Sequence, residues 1–306
     1  MRFGFVGLGN LGRQLAGRLV GAGFPLTVHD LDKSAAGPLL AAGARWADSP
    51  CAVARASDSV LTCLPSPAAV TEVVCGADKG LLAGMVAGAT WIDTSTNDPQ
   101  ELRRLADVAA AAGVQCLEAP VTGGVHLAAA GRLTIFVGGE QAVFESHRPA
   151  FEAIGRRVLY LGPLGNASTM KVITNMLALS HLVAAGEALM LARRAGLDLG
   201  QAFEAIRASS GNSFVHETES QVILNGSYDI GFTLDLACKD LGLARELGRE
   251  HRVPLEIATL VEQTFIRARE QYGGSAWSPM VVKLLEDALQ TDLRAPGFPP
   301  TISDGA

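Results

Sequence analysis

Short apolar runs alternate with longer segments of helical period along the first half of the chain. Residues 2–6, 26–29, 59–64, 90–92 and 114–117 are compact β-rich runs, and the stretches between them, rich in Ala, Leu and Arg, bring their apolar positions back at helical spacing. Strand and helix in strict alternation predict a parallel sheet wound with helices on both faces. Two further β-like runs, 133–137 and 158–161, extend the pattern. It stops after Gly162, Pro163 and Gly165, and from there to Ala288 helical composition and period prevail. The expected fold class is therefore α/β: an N-terminal, Rossmann-type doubly wound domain over 1–162, then an all-α domain over 163–294. Residues 295–306, rich in Pro and Gly, are expected to form a flexible tail.

One apolar stretch, 172–192, approaches the length of a membrane span, but Asn175, His181 and Glu187 interrupt it. A buried helix is the better reading, and no membrane partner is expected. A helix apolar nearly all round must be covered by protein on every side, which predicts a bundle centre or a subunit interface in a homodimer or homotetramer.

Charge narrows the partners. A net charge of -6 on 306 residues, with no dense run of Lys and Arg, excludes nucleic acid as an expected partner. A small anion held by a few local charges stays compatible with it, because charges inside a cleft outweigh the mean surface potential. The five cysteines form no C-x-x-C pair and have no metal-like spacing with the six histidines, so reduced thiols and no metal are expected. Met1 leads straight into an apolar strand without the order of a signal peptide, which points to the cytoplasm.

The strongest local chemistry is Gly7-Leu8-Gly9-Asn10-Leu11-Gly12, directly after the first strand and directly before a helical run. In such a turn the first glycine permits the tight bend, the second lets backbone approach a pyrophosphate, and the third lets helix and strand pack closely. Free N–H groups at the helix start then face the phosphates. Asp30 ends the next strand about twenty residues on, where a carboxylate accepts hydrogen bonds from ribose hydroxyls and repels a 2'-phosphate. NAD is therefore expected over NADP, with Lys33 as the nearby counterweight. The same turn could also hold S-adenosylmethionine, so the cofactor class needs support from elsewhere in the chain.

That support comes from a series of motifs in order: GLGNLG at 7–12, CLPSP at 63–67, DTSTNDP at 93–99, EAPVTGG at 118–124, GNASTMKVITN at 165–175 and ACKDLGLA at 237–244. Together they resemble the β-hydroxyacid dehydrogenases, the family that includes 3-hydroxyisobutyrate dehydrogenase and tartronate semialdehyde reductase. The resemblance implies that Leu64 and Pro65 line the nicotinamide end of the cofactor, that Thr96 contacts it, and that Lys239 approaches it. It implies that Thr122, Gly123 and Gly124 hold the substrate carboxylate, that Lys171 is the catalytic lysine, and that Asn175 touches substrate. By helical spacing alone, Lys171 and Asn175 share one face; a snorkelling lysine and a capping amide would produce the same pattern.

The chain departs from the family at several of these positions. Thr122 stands where Ser is usual, which keeps the hydroxyl and adds a methyl group; His126 stands where a small residue is usual and is expected to face solvent. Ala167 replaces a common Gly, and Thr174-Asn175 replaces a common pair of Asn. Without the family, Lys239 beside Asp240 reads as a surface ion pair, and Phe214 and Phe232 as core or as apolar walls of a pocket.

The function implied is reversible hydride transfer between NAD and a small β-hydroxyacid or its semialdehyde, with Lys171 as general acid/base. A phosphogluconate-type decarboxylase would need several basic residues converging on a sugar phosphate, and none is apparent. An imine reductase would lack the lysine; a dinucleotide sensor without turnover would not need both Lys171 and Asn175. Which β-hydroxyacid is used, from 3-hydroxyisobutyrate and tartronate semialdehyde to threonate or sulfonated aldehydes, is not written in these motifs.

Overall fold

In the computed structural model, which describes residues 1–302, the chain divides into two compact units, Met1–Lys171 and Val172–Ala306. The first unit contains nine strands: β1 (Phe3–Val6), β2 (Leu26–His29), β3 (Arg45–Trp46), β4 (Ser59–Thr62), β5 (Thr90–Asp93), β6 (Gln115–Glu118), β7 (Val121–Thr122), β8 (Leu133–Gly139) and β9 (Gly155–Tyr160). They lie in the order β3-β2-β1-β4-β5-β6-β8-β7, with β9 on β8. Each expected strand is present within a few residues of its expected ends. The short β3 and β7 are too brief to leave a pattern.

The sheet is parallel from β3 to β6, and then β8 runs antiparallel to β6 and β7. A purely parallel continuation would need a crossover helix of useful length between β6 and β8. The chain has only a six-residue helix there, Gly124–Ala129, so it folds back instead.

Seven helices complete this unit: α1 (Gly12–Gly21), α2 (Gly37–Ala41), α3 (Pro50–Arg55), α4 (Pro67–Cys75), α5 (Pro99–Ala111), α6 (Gly124–Ala129) and α7 (Gln141–Ile154). Local chemistry starts several of them. Ser49, Ser66 and Asp98 accept hydrogen bonds from backbone N–H groups in the first turns of α3, α4 and α5, each followed by a proline that supplies a preset φ and lacks the N–H a first turn cannot use. Helices cover both faces of the sheet. One core joins Phe3, Phe5, Leu15, Leu19 and Val28 to Phe144 and Phe151; the other joins Val60, Val70, Trp91, Leu102 and Leu105.

A single helix, α8 (Asn166–Arg194), begins in the first unit and continues into the second. The division into compact units falls inside this helix, at residues 171/172, a few residues after the strand pattern ends. The physical reason is Glu118: its buried carboxylate accepts from Ala167 N (2.8 Å) and Ser168 N (3.0 Å), tying the first turns of α8 to the end of β6. By length and composition α8 could cross a membrane, yet Leu179, Leu182, Leu189 and Met190 belong to the core of the second unit.

That unit adds α9 (Leu199–Arg207), α10 (Phe214–Asn225), α11 (Leu234–Glu250), α12 (Glu256–Tyr272) and α13 (Lys283–Leu289). The expected tail is not loose over its first part. Ala295 N donates to Leu224 O, Asn225 Nδ2 to Phe298 O and Ser227 Oγ to Pro300 O, while the Phe298 ring stands edge-on to Phe203 at 5.1 Å. An aromatic ring inside a Pro/Gly-rich stretch gave that stretch something to bury. Residues 303–306, the rest of the expected tail, lie outside the described residues.

Candidate active site

In an open α/β sheet the ligand crevice forms where strand order reverses, beyond the carboxyl ends of the strands. Here the reversal lies between β1 and β4, and the glycine-rich turn follows β1 directly. Gly7 adopts φ 98°, a left-handed conformation, and a Cβ there would sit 2.3 Å from Cys63 O. A Cβ on Gly12 would meet Gly7 O at 2.0 Å, whereas one on Gly9 would meet nothing within 4 Å. The first and third glycines therefore permit the turn and the packing of α1, and the second faces open space. A dinucleotide pyrophosphate fits that opening, with Leu8, Asn10 and Leu11 supplying the rest of the turn.

Asp30 is drawn into the same turn. Its Oδ2 accepts from Leu8 N at 2.6 Å, and its Oδ1 accepts from Asp32 N at 2.9 Å. The carboxylate is thus fixed at the end of β2, beside the turn. Lys33 does not stand against it as a competing cation: its Nζ lies over the Trp46 ring, 5.4 Å from the centroid.

The loops after β4 and β5 are locked together. Leu64 N donates to Ser95 Oγ at 2.9 Å, placing Leu64 and Pro65 next to Gly7, where Leu64 Cδ2 is 3.0 Å from the position of a Cβ. Beneath this, Asp93 Oδ1 accepts from Thr62 Oγ1 (2.9 Å) and Ser95 N (3.1 Å), and Asp93 Oδ2 accepts from Asn97 Nδ2 (3.0 Å). Burial pushes the Asp93 carboxyl above its ordinary range, and these hydrogen bonds oppose the shift. Within 93–97 only Thr96 is not fully buried. Asp93, Ser95 and Asn97 are site-shaping residues that the motif contained but residue type alone could not assign.

Past β6 the chain makes a second glycine turn. Thr122 closes β7, and Gly123 (φ 125°) and Gly124 (φ 82°) both take left-handed conformations that side chains resist. His126 does not simply face solvent. Its half-buried ring folds back over this turn, so that a methyl group on Gly124 would meet Nδ1 at 3.2 Å and Cε1 at 3.3 Å. A one-turn helix carries position 126 back above its own start, which sequence spacing did not convey.

Lys171 lies in the second turn of α8 and is 8% exposed, far more buried than a lysine ordinarily is. Its position is set by Glu118, which holds Ala167 N, Ser168 N and Ser168 Oγ. Burial pushes the Glu118 carboxyl upward and the donors around it pull it back. In place of a family glycine, Ala167 is fully buried without disturbing this clamp.

In the second unit Asn175 Nδ2 donates to Asp240 Oδ2 at 2.5 Å, and Lys239 Nζ is 2.7 Å from Asp240 Oδ1. The Lys239–Asp240 pair is no surface ion pair, because Asp240 is buried to 1% exposure. It orders the amide of Asn175 on α8 and the ammonium of Lys239 on α11 through one carboxylate. Phe232 packs partly against the core of this unit, while Phe214 is exposed and not a core residue.

Comparison with known proteins agrees with this geometry over nearly the whole chain. Residues 2–162 match the NAD binding domain of 6-phosphogluconate dehydrogenase, and residues 165–285 match the NAD-binding family of NADP-dependent 3-hydroxyisobutyrate dehydrogenase. The 2-(hydroxymethyl)glutarate dehydrogenase of Eubacterium barkeri is 35% identical over 287 residues, covering 94% of this chain and 95% of its own. The chain belongs to the β-hydroxyacid dehydrogenase family. The NAD-dependent L-serine dehydrogenase of Pseudomonas aeruginosa is 37% identical over 249 residues, 79% of this chain and 83% of that one. The crystal structure of 3-hydroxyisobutyrate dehydrogenase from Salmonella typhimurium superposes with a TM-score of 0.86 at 31% identity, covering 93% of this chain and 99% of that chain. This member is an NAD(P)-dependent oxidoreductase with a Rossmann-type first unit and a helical second one.

Proposed function

We propose that the enzyme interconverts a small β-hydroxyacid and its semialdehyde or keto form, with Lys171 as general acid/base. The observation that carries this reading is a lysine 8% exposed on a helix whose first turns are clamped by Glu118. A buried ammonium stabilises negative charge that develops beside it, as on the oxygen that gains charge during carbonyl reduction. When bound, NAD supplies or accepts the hydride. Lys171 Nζ gives its proton to the alkoxide oxygen in reduction and takes it back in oxidation. Asn175, turned by Asp240, orients the same oxygen or its neighbour. Thr122 with Gly123 and Gly124 holds the carboxylate that 2-(hydroxymethyl)glutarate, 3-hydroxyisobutyrate and L-serine, the substrates for which the relatives are named, have in common.

On the cofactor side, Gly7 to Gly12 take the pyrophosphate, Asp30 the ribose, and Leu64, Pro65, Thr96 and Lys239 the nicotinamide end. The engagement of Lys33 with Trp46 supports NAD over NADP. Cytoplasmic residence is consistent with five free thiols.

The assembly is a homodimer or homotetramer. Ile173, Leu177, Ala184, Ala188 and Leu191 recur on one face of α8 and are exposed, Leu177 at 51% and Leu191 at 72%. A stripe of this kind is the mark of a subunit contact.

The test is a panel of β-hydroxyacids, including 3-hydroxyisobutyrate, L-serine, glycerate and 2-(hydroxymethyl)glutarate, assayed separately with NAD and NADP. Reduced nicotinamide forming with at least one of them, and faster with NAD, is the expected result. Turnover of none of them, with α-hydroxyacids or amines oxidised instead, would replace the reading.

A further inference from the structure

The opening over Gly9 has a cation beside it that the glycine-rich motif does not account for. Arg13 is the second residue of α1, and its backbone N–H donates to Gly9 O at 3.2 Å. On a helix each Cα–Cβ bond tilts toward the N-terminus, so a long side chain covers the turn that precedes its own Cα. For Arg13 that turn is Gly9–Asn10. The side chain follows the rule, since Arg13 Nη2 donates to Asn10 Oδ1 at 3.3 Å. The guanidinium is therefore held over the start of α1, next to the residue where an added Cβ would meet nothing within 4 Å.

An arginine three residues from an amide is by itself an ordinary pair on a helix surface. Charge sets this one apart. Asp30 already brings a carboxylate to Leu8 N in the same turn, and a dinucleotide adds two anionic phosphates. Against them α1 offers its dipole, equivalent to roughly half a positive charge at the N-terminus. The other nearby cations are occupied: Arg2, the only other basic residue among the first 17, pairs with Asp58 at the far end of β1, and Lys33 lies over Trp46. Arg13 pairs with a neutral amide and with no carboxylate among the described residues. Asn10 thus restrains a flexible side chain without neutralising it.

We propose that Arg13 is a cofactor-binding residue whose guanidinium pairs with the dinucleotide pyrophosphate. The inference rests on the cofactor reading of Gly7 to Gly12 and is independent of Lys171. A guanidinium fork matches phosphate oxygens bidentately, and an anionic phosphate is a stronger acceptor than the Asn10 amide it would replace. The glycine turn admits the pyrophosphate sterically, and Arg13 supplies the charge that the turn itself lacks. Its partner is the pyrophosphate and not a 2'-phosphate, because Arg13 follows β1 and covers Gly9, whereas the ribose end is marked by Asp30 at the end of β2. A contact made by a full charge weakens with ionic strength, and backbone donation does so far less.

Fluorescence titration with NADH and NADPH, and calorimetry with ADP-ribose, test this on the full chain without substrate, so that turnover plays no part. In Arg13→Gln the Kd for NADH and for ADP-ribose should both rise by about tenfold at roughly 20 mM salt, and the gap from wild type should shrink to about twofold at roughly 0.5 M. Arg13→Lys should recover most of the loss. The side chain is exposed, so Tm should match the wild type; if Arg13→Gln does not fold, Arg13→Met keeps the stem packed and carries the same comparison. A Kd for NADH within about twofold of wild type at low salt, or a gap that salt leaves unchanged, overturns the contact. A loss much larger for NADPH than for NADH moves Arg13 to the 2'-phosphate and overturns the pyrophosphate assignment. A wild type that binds no NADH overturns the cofactor reading itself, and this inference with it.

Discussion

Glu118, at the carboxyl end of β6, receives both the backbone N–H and the hydroxyl of Ser168, one turn before Lys171 on α8. Three donors on one buried carboxylate fix where the helix starts, and helical geometry then fixes Lys171. Glu118 acts through the helix as a positioning residue. In Glu118→Gln an amide NH2 replaces one acceptor oxygen and confronts N–H donors. We expect kcat to fall by about tenfold or more while NAD affinity is kept, because a misplaced acid loses transition-state contact only. Steady-state kinetics with fluorescence titration of NADH checks this; an unchanged kcat would detach the clamp from catalysis.

Lys171→Ala should reduce kcat by roughly 10²–10⁴-fold, the usual worth of general acid/base catalysis, again with NAD binding retained. Lys171→Arg should not restore the rate, since a guanidinium does not release its proton near neutrality. Near-normal turnover of either variant would remove Lys171 from the role.

Asp30→Ser removes the acceptor for Leu8 N as well as the proposed ribose contact. Two changes are expected together: a higher KM for NAD, and a shift of the NADP/NAD ratio of kcat/KM toward NADP by about tenfold or more. Measuring both cofactors at fixed substrate decides it, and an unchanged ratio would count against Asp30 as the selecting residue.

His147 gives a pH prediction. It is buried on α7, with Nε2 2.8 Å from Ser59 Oγ and Nδ1 2.8 Å from Val143 O, and burial lowers its pKa below the ordinary 6.5. The unfolded chain therefore takes up a proton at a higher pH than the folded one, so stability is kept above pH 6.5 and lost as pH falls below it. Thermal melts from pH 7.5 to 5.5 should show Tm falling in the wild type and falling less in His147→Gln. Parallel curves would show that this histidine carries no part of the acid sensitivity.

Leu177→Glu on the exposed face of α8 should dissociate the oligomer, seen as a drop in mass by light scattering. A wild-type monomer at micromolar concentration would end the oligomer proposal.

What the sequence determined by itself was local. Glycine turns, proline after a capping Ser or Asp, and alternation of β-rich and helical runs act over a few residues, so the doubly wound domain, the turn at Gly7 to Gly12 and the carboxylate at Asp30 could be read directly. The order of the motifs identified the family in the same way. The roles of Glu118, Asp93 and Asp240 were decided only by tertiary structure, because each depends on burial and on which donors arrive from elsewhere in the chain. Ser168 lies 50 residues from Glu118, and Asn175 lies 65 from Asp240. Tertiary structure also folded His126 back over Gly124, carried α8 from the first compact unit into the second, and used Phe298 to fasten the start of the tail. A side chain's type states which bonds it can make; only the packed fold determines which groups come within reach.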